Sequence, residues 1–233
     1  MNIKQDRTSP FGLKIWMSKP EMDKICLDEL RKSKKYLPDV PGPINIERFL
    51  ESYLKVTVDY QDLGEGFLGC AMFAESGKPL RVIVSGALES DHEPTGRRLR
   101  STLAHEAGHC IFHPQLFMSG NPQSDLFDQD VNMKQGKILC REGTVGSGGQ
   151  FDGRWWEYQA NRAIGGFLLP KPLLEKALED LLDSATITGT KSLSAESFGP
   201  AVELVAEVFD VNPVVARYRI SEIYADGSDQ MTF

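Results

Sequence analysis

The sequence predicts an α+β fold, in which a small antiparallel three-stranded sheet packs against two helices and a helical segment follows at the C-terminal end. Strand patterns predict three strands, at residues 55–60, where apolar and polar residues alternate, at 67–74 and at 80–85. Residues 75–79, Glu-Ser-Gly-Lys-Pro, separate the last two strands and are typical of a hairpin loop. Helical periodicity predicts the two helices, at residues 94–113 and 154–169, each ended by a proline.

The other elements are separated by proline and glycine. Before the sheet we expect an irregular arm and two helices, at residues 1–20, 21–36 and 46–54. Residues 114–153, which include the glycine-rich run 143–153, are expected to be mostly irregular and to form a mobile flap. Further helices are expected at residues 171–183, 198–209 and 213–224. The domain organisation is then an N-terminal arm and helix, a central domain with the insertion, and a C-terminal helical segment packed on that domain: 1–40, 41–183 and 184–233.

Composition indicates a globular, cytoplasmic protein. Of the 233 residues, 41% are hydrophobic and 25% are charged, and no apolar run approaches the length of a membrane span. No apolar segment follows the first residues, so we expect no secretory signal. The four cysteines are widely spaced, which fits reduced thiols better than a disulfide framework. The net charge of −7 argues against a broad nucleic-acid-binding surface, so neither a membrane nor a nucleic acid is an expected partner.

The residues with the clearest chemistry lie in the helix at 94–113, in the sequence His105-Glu106-Ala107-Gly108-His109. On a helix, His105 and His109 share one face, with Cβ atoms about 5–6 Å apart, and both imidazoles can bind one Zn²⁺. Glu106 is rotated about 100° from His105, so it is better placed to act as a general base on a metal-bound water than as a ligand. The alternative is a pair of ordinary helix histidines, which the apolar helical context disfavours.

A catalytic zinc site needs a third protein ligand, and Glu157 is the best candidate. It lies 48 residues after His109, near the start of the helix at 154–169. Without the upstream motif, Glu157 would be read as a solvated surface acid. Asn161, one turn later on the same face, could accept the outer N–H of a ligating histidine. Because this ligand set contains no soft atom, Mn²⁺ is an alternative to Zn²⁺.

Three stretches together resemble the ImmA/IrrE metallopeptidases, small cytoplasmic zinc proteases of bacteria and mobile elements. They are residues 103–109, Glu157-x-x-Ala160-Asn161 and Phe167-Leu168-Leu169-Pro170, and the resemblance covers about residues 40–225. It implies a minimal zincin-like fold in which the glutamate of Glu-x-x-Ala-Asn is the third zinc ligand. It also implies a protein substrate, a transcriptional repressor whose cleavage relieves repression. The longer spacing between the two ligand motifs, which the glycine-rich insertion fills, departs from the family pattern.

Peptide hydrolysis at such a site follows from charge. Glu106 would take a proton from the attacking water and pass it to the leaving amine. The donor to the developing oxyanion stays open among four residues: His113, Tyr158, Arg162 and Tyr218. His113 could also be a fourth ligand, although packing or support of the ligands suits it better. The substrate is expected to bind extended, as an added strand at an open edge of the sheet.

Two other functions are open. Residues 201–224 have the spacing of a helix-turn-helix, as in a DNA-binding regulator. Their second helix offers only Arg217 and Arg219 as basic residues, and too few phosphate contacts would result. A non-catalytic zinc-containing adaptor that binds a repressor would have no use for Glu106. A zinc-dependent endopeptidase is therefore the predicted function.

Overall fold

The computed structural model describes residues 1–32, 35–89, 93–118, 131–132, 136–141, 153–184 and 191–224. The α-helices in these ranges are α1 (Lys19–Arg31), α2 (Ile46–Arg48), α3 (Glu93–Phe112), α4 (Trp155–Leu168), α5 (Lys171–Ala177), α6 (Ala195–Val208) and α7 (Pro213–Tyr224). A π-helix at Phe49–Leu54 continues α2. Together with the strands described next, these helices confirm the predicted α+β class. None of the described helices combines the length and apolarity needed to cross a membrane.

The main sheet has five strands within the described residues. They are β3 (Thr57–Gln61), β4 (Phe67–Phe73), β5 (Pro79–Ser85), β6 (Val131–Asn132) and β7 (Lys137–Arg141), in the order β3-β5-β4-β7-β6. The predicted three-stranded antiparallel sheet was wrong in two respects. β3 runs parallel to β5, and β7 and β6 extend the sheet beyond β4. Alternation reports which face of a strand is buried, not which strand lies beside it, so this neighbour order was not available from the pattern.

The insertion at 114–153 is more ordered than predicted at the positions that the structure describes. It holds a short 3-10 helix at Pro114–Phe117 and the strands β6 and β7. The rest of the predicted flap lies outside the described residues. The N-terminal arm, predicted to be irregular, contains the antiparallel pair β1 (Asn2–Gln5) and β2 (Leu13–Trp16). Each of these strands has only four residues, too few for a clear alternation.

Helix boundaries follow local capping. Ser18 and Glu21 form a reciprocal capping box with Pro20 in the first turn, so α1 begins earlier than predicted, at Lys19. It also ends earlier, at Arg31. Helix α5 ends at Ala177 rather than at 183, and β8 (Asp183–Ser184) pairs with β9 (Lys191–Ser192) beyond it. The predicted hairpin loop at 75–79 and the helix near 94–113 agree with β4–β5 and α3.

The hydrophobic core lies on both sides of α3. One cluster of buried residues includes Phe11 of the N-terminal arm, Ala71 of the sheet, Phe167 of α4 and Val205 of α6. Helix α3 packs against β4 and β5 on one side and against α4 on the other. The histidine-bearing helix is therefore the central layer of the molecule, which explains why its polar residues are buried.

Candidate metal centre

Helices α3 and α4 approach closely at Gly108. A Cβ atom built on Gly108 would lie 2.6 Å from the Cβ of Ala163 and 3.1 Å from the Cα of Ala160. Real side chains do not reach such distances, so the close packing requires glycine at this position. Gly108 lies inside the His105–His109 segment, and its neighbours on α4 follow Glu157. The small residues therefore bring the two ligand motifs together.

The three predicted ligands converge. The Nε2 atoms of His105 and His109 lie 3.1 Å apart. Oxygens of Glu157 lie 3.2 Å from Nε2 of His105 and 3.4 Å from Nε2 of His109. Donor atoms about 2.0–2.1 Å from a tetrahedral metal are about 3.3 Å from one another. The triangle of His105, His109 and Glu157 has this size, so these residues could hold a metal ion.

The hydrogen bond of the first histidine orients its lone pair into the triangle. Oδ1 of Asn161 lies 3.1 Å from Nδ1 of His105. An amide oxygen accepts, so Nδ1 carries the proton and Nε2 of the neutral ring presents its lone pair. The structure thus places Asn161 where the sequence predicted it, beside the outer nitrogen of a candidate ligand.

The second histidine is oriented by a longer chain of hydrogen bonds. Nε2 of Gln159 donates to the backbone oxygen of Ile15 over 2.7 Å, so its Oε1 faces Nε2 of His113 at 3.0 Å and accepts from it. Nδ1 of a neutral His113 is then an acceptor, and Nδ1 of His109 donates to it over 2.9 Å. Nε2 of His109 is left with its lone pair directed at the triangle. Sequence reasoning missed Gln159, because a single glutamine in a helix has no distinctive spacing.

Burial shapes the protonation of these groups. Desolvation, with a smaller contribution from His109, lowers the pKa of His113 to about 3, which keeps its ring neutral. Desolvation disfavours the charge on Glu157, but His109 and His105 outweigh it and hold the pKa of that carboxyl well below its usual range. In a metal-bound site a divalent cation would take the place of the imidazole protons that face this carboxylate and would neutralise its charge.

Glu106 lies on the sheet side of the centre. A Cβ on Gly69 of β4 would be 2.3 Å from Oε1 of Glu106, so only glycine leaves room for this carboxylate. Among the described residues neither carboxylate oxygen of Glu106 has a hydrogen-bond partner. Burial, and then the charge of Glu157, raise the pKa of Glu106 well above its ordinary value. The pKa values of the two carboxyl groups of the site are therefore shifted in opposite directions, which fits different roles for them.

A second group of candidate ligands shares one residue with the triangle. Ligand atoms of His105, Glu106 and Cys140 all lie within 4.8 Å of one another, and all three residues are buried. Sequence reasoning did not single out Cys140, because it stands alone in a stretch predicted to be irregular. Only the pairing of β7 with β4 brings it to the centre.

The structure does not select an oxyanion donor. Tyr158 and Tyr218 are each 42% exposed, unlike the buried candidate ligands. Arg162 is ion-paired with Asp23 and Glu222. His113 uses both ring nitrogens in the chain of hydrogen bonds that ends at Ile15. The donor therefore stays open, and His113 takes the supporting position beside a ligand.

Comparison with known proteins adds no family assignment. No family model matches the chain, and no curated protein matches it. The functional interpretation therefore depends on the geometry of the residues themselves.

Proposed function

We propose that this protein is a zinc-dependent endopeptidase with His105, His109 and Glu157 as metal ligands and Glu106 as general base. The observation that carries the proposal is the ligand triangle with edges of 3.1–3.4 Å, next to a buried carboxylate that is not part of it. A purely structural metal site has no need of an adjacent base. This arrangement instead suits hydrolysis.

The roles of the residues follow from their surroundings. When bound, zinc supplies a Lewis acid that polarises a carbonyl and makes water acidic near neutral pH. Glu106, which is fully buried, accepts a proton from the attacking water and delivers it to the leaving amine. Asn161 and the His113–Gln159 pair keep the two imidazoles in the tautomer that binds metal. These hydrogen bonds orient the ligands before any substrate is bound.

We propose a transcriptional repressor as the substrate. The resemblance of the two ligand motifs to the ImmA/IrrE metallopeptidases supports a cytoplasmic protein substrate, a transcriptional repressor. We propose Zn²⁺ rather than Mn²⁺ because imidazole ligands at short tetrahedral separations favour zinc.

The placement of the C-terminal arginines supports an enzyme over a DNA-binding regulator. Arg219 is buried, donates to the carbonyl of Leu169 and pairs with Asp23. Arg217 stacks over the ring of Phe198. A recognition helix needs cationic side chains directed at phosphates, and the buried Arg219 in particular is directed into the protein.

The test combines metal analysis with proteolysis. Purified protein should contain one zinc per chain, lost in His109→Ala and retained in Cys110→Ala, which alters the adjacent buried residue of the same helix. Candidate repressors incubated with the protein should yield new termini by mass spectrometry, and a chelator should prevent them. Stoichiometric zinc without any chelator-sensitive cleavage would favour the adaptor. Salt-dependent duplex binding without metal would favour the regulator.

A further inference from the structure

Strand β7 lies next to β4, the strand against which Glu106 packs, on the side away from β5. It pairs antiparallel with β4, and Cys140 lies directly opposite Gly69. Residues directly opposite in antiparallel strands project to the same face of a sheet. Gly69 has no side chain, and the carboxylate of Glu106 occupies the space in front of it. The side chain of Cys140 therefore projects to the face where the metal centre lies.

The thiol of Cys140 lies beside that centre, next to His105 and Glu106. Its Sγ is within 4.8 Å of a nitrogen of His105 and an oxygen of Glu106. Sulfur and nitrogen ligands of one tetrahedral zinc are about 3.5 Å apart, given bond lengths of about 2.3 and 2.0 Å. The sulfur does not lie within 4.8 Å of both His109 and Glu157, so a change of the Cys140 rotamer would have to bring it towards the rest of the triangle. Cys140 is fully buried and not in a disulfide.

The burial of the centre shows that the described conformation is closed to a peptide. His105, Glu106 and His109 are 0% exposed and Glu157 is 4% exposed. A substrate that adds a strand beside β4 would need the edge that β7 already holds. The oxygens of Glu106 have no hydrogen-bond partner among the described residues.

We infer that Cys140 is a fourth metal ligand in this closed form, placed by β7 in the position that water needs for hydrolysis. The inference rests on the proposed metal centre and deepens it. The ligand set becomes two imidazoles, one carboxylate and one thiolate, and metal binding releases the thiol proton to solvent. A soft sulfur ligand favours zinc over Mn²⁺. Displacement of β7 then both removes the sulfur and frees the edge of β4 for an extended peptide.

Cobalt substitution of the full chain tests the inference without any substrate. A thiolate ligand gives Co²⁺ an intense near-ultraviolet charge-transfer absorption that nitrogen and oxygen ligands do not give. Wild type and Cys110→Ala should show this band, and Cys140→Ala should lose it while still binding one cobalt through the remaining ligands. Cys110 is the matched control, because it too is a buried thiol near the centre.

Access to the fourth position gives a second measurement. Acetohydroxamate, a small metal ligand, should change the visible spectrum of the cobalt form of Cys140→Ala at a concentration at least about tenfold lower than for wild type, since one displaced ligand is worth more than about 1.4 kcal/mol. Circular dichroism of each variant checks that it is folded.

The outcomes separate the inference from the proposed function. Stoichiometric cobalt without a thiolate band in wild type would overturn the role of Cys140 and leave the triangle intact. A band that persists in Cys140→Ala would also overturn it. Failure of wild type to bind cobalt or zinc at all would overturn the metal centre, and the inference with it.

Discussion

The two sides of the candidate metal centre are built in opposite ways. On the side between α3 and α4, Nδ1 of each candidate ligand histidine has a hydrogen-bond partner, Asn161 for His105 and His113 for His109. On the side facing the sheet, Glu106 lies against the backbone of Gly69 with both oxygens unpartnered among the described residues. Hydrogen bonds at the outer nitrogens fix the orientation of the two imidazoles, whereas a desolvated carboxylate is a reactive base. We therefore expect the groups that orient the imidazoles to control metal affinity and Glu106 to control rate.

Glu106→Gln should give the largest effect, because it should lower the rate of cleavage and leave the zinc content unchanged. The variant keeps the three ligands but has no base, so cleavage should fall by about 10²–10⁴-fold. Zinc content, measured by elemental analysis, should stay at the wild-type level. Glu207→Gln, an exposed residue of α6, is the control and should leave both quantities unchanged. Equal cleavage by wild type and Glu106→Gln would contradict the assigned role.

Gln159→Met tests the side between the helices. The change removes the acceptor that orients His113, and through it His109, so zinc affinity should fall by about 10–100-fold. Competition with a chromophoric chelator measures it. Gln115→Met makes the same chemical change outside the chain of hydrogen bonds and should leave the affinity unaltered. If both variants bind zinc equally well, the chain through His113 does not support the ligand.

Gly69→Ala tests the sheet side. The added methyl would collide with Oε1 of Glu106, and the resulting overpacking should lower the free energy of unfolding by about 1–3 kcal/mol. Zinc affinity should be retained, because the three atoms nearest to the added methyl all belong to Glu106 and not to the triangle. Gly42→Ala, at a position with open space around it, is the control for urea denaturation. A loss of affinity comparable to that of Gln159→Met would show that the two sides are not separable.

The smallest expected effect is that of pH on the free energy of unfolding. The pKa of His113 is depressed in the folded protein to about 3, below its ordinary value near 6.5. Its contribution to stability is therefore present above pH 6.5 and is lost as pH falls towards 3. Metal-free wild type should lose free energy of unfolding over this range more steeply than His113→Phe, by at most about 1.4 kcal/mol per pH unit for one proton. Urea titrations at several pH values measure both slopes, and equal slopes would contradict the assignment.

The spacing of residues in the sequence was sufficient to predict the parts of the site that lie on a single helix. The four-residue separation of His105 and His109 follows from helical geometry, and proline marks where α3 and α4 end. Glu157 and Asn161 are also one turn apart, so their shared face was predictable. These features depend on contacts within one element, which the pattern of residues reports directly.

Tertiary structure decided the features that join distant segments. The parallel pairing of β3 with β5 and the addition of β7 to β4 depend on how hairpins dock, and alternation is the same for either arrangement. The contact of Gln159 with Ile15 spans 144 residues, and that of Cys140 with the centre requires β7 to be placed. The sequence by itself determined which residues share one face of each helix, His105 with His109 and Glu157 with Asn161. The packing of the sheet and the N-terminal hairpin decided which groups orient those residues and which strand covers them, because these contacts are made across the fold and leave no periodic trace in the chain.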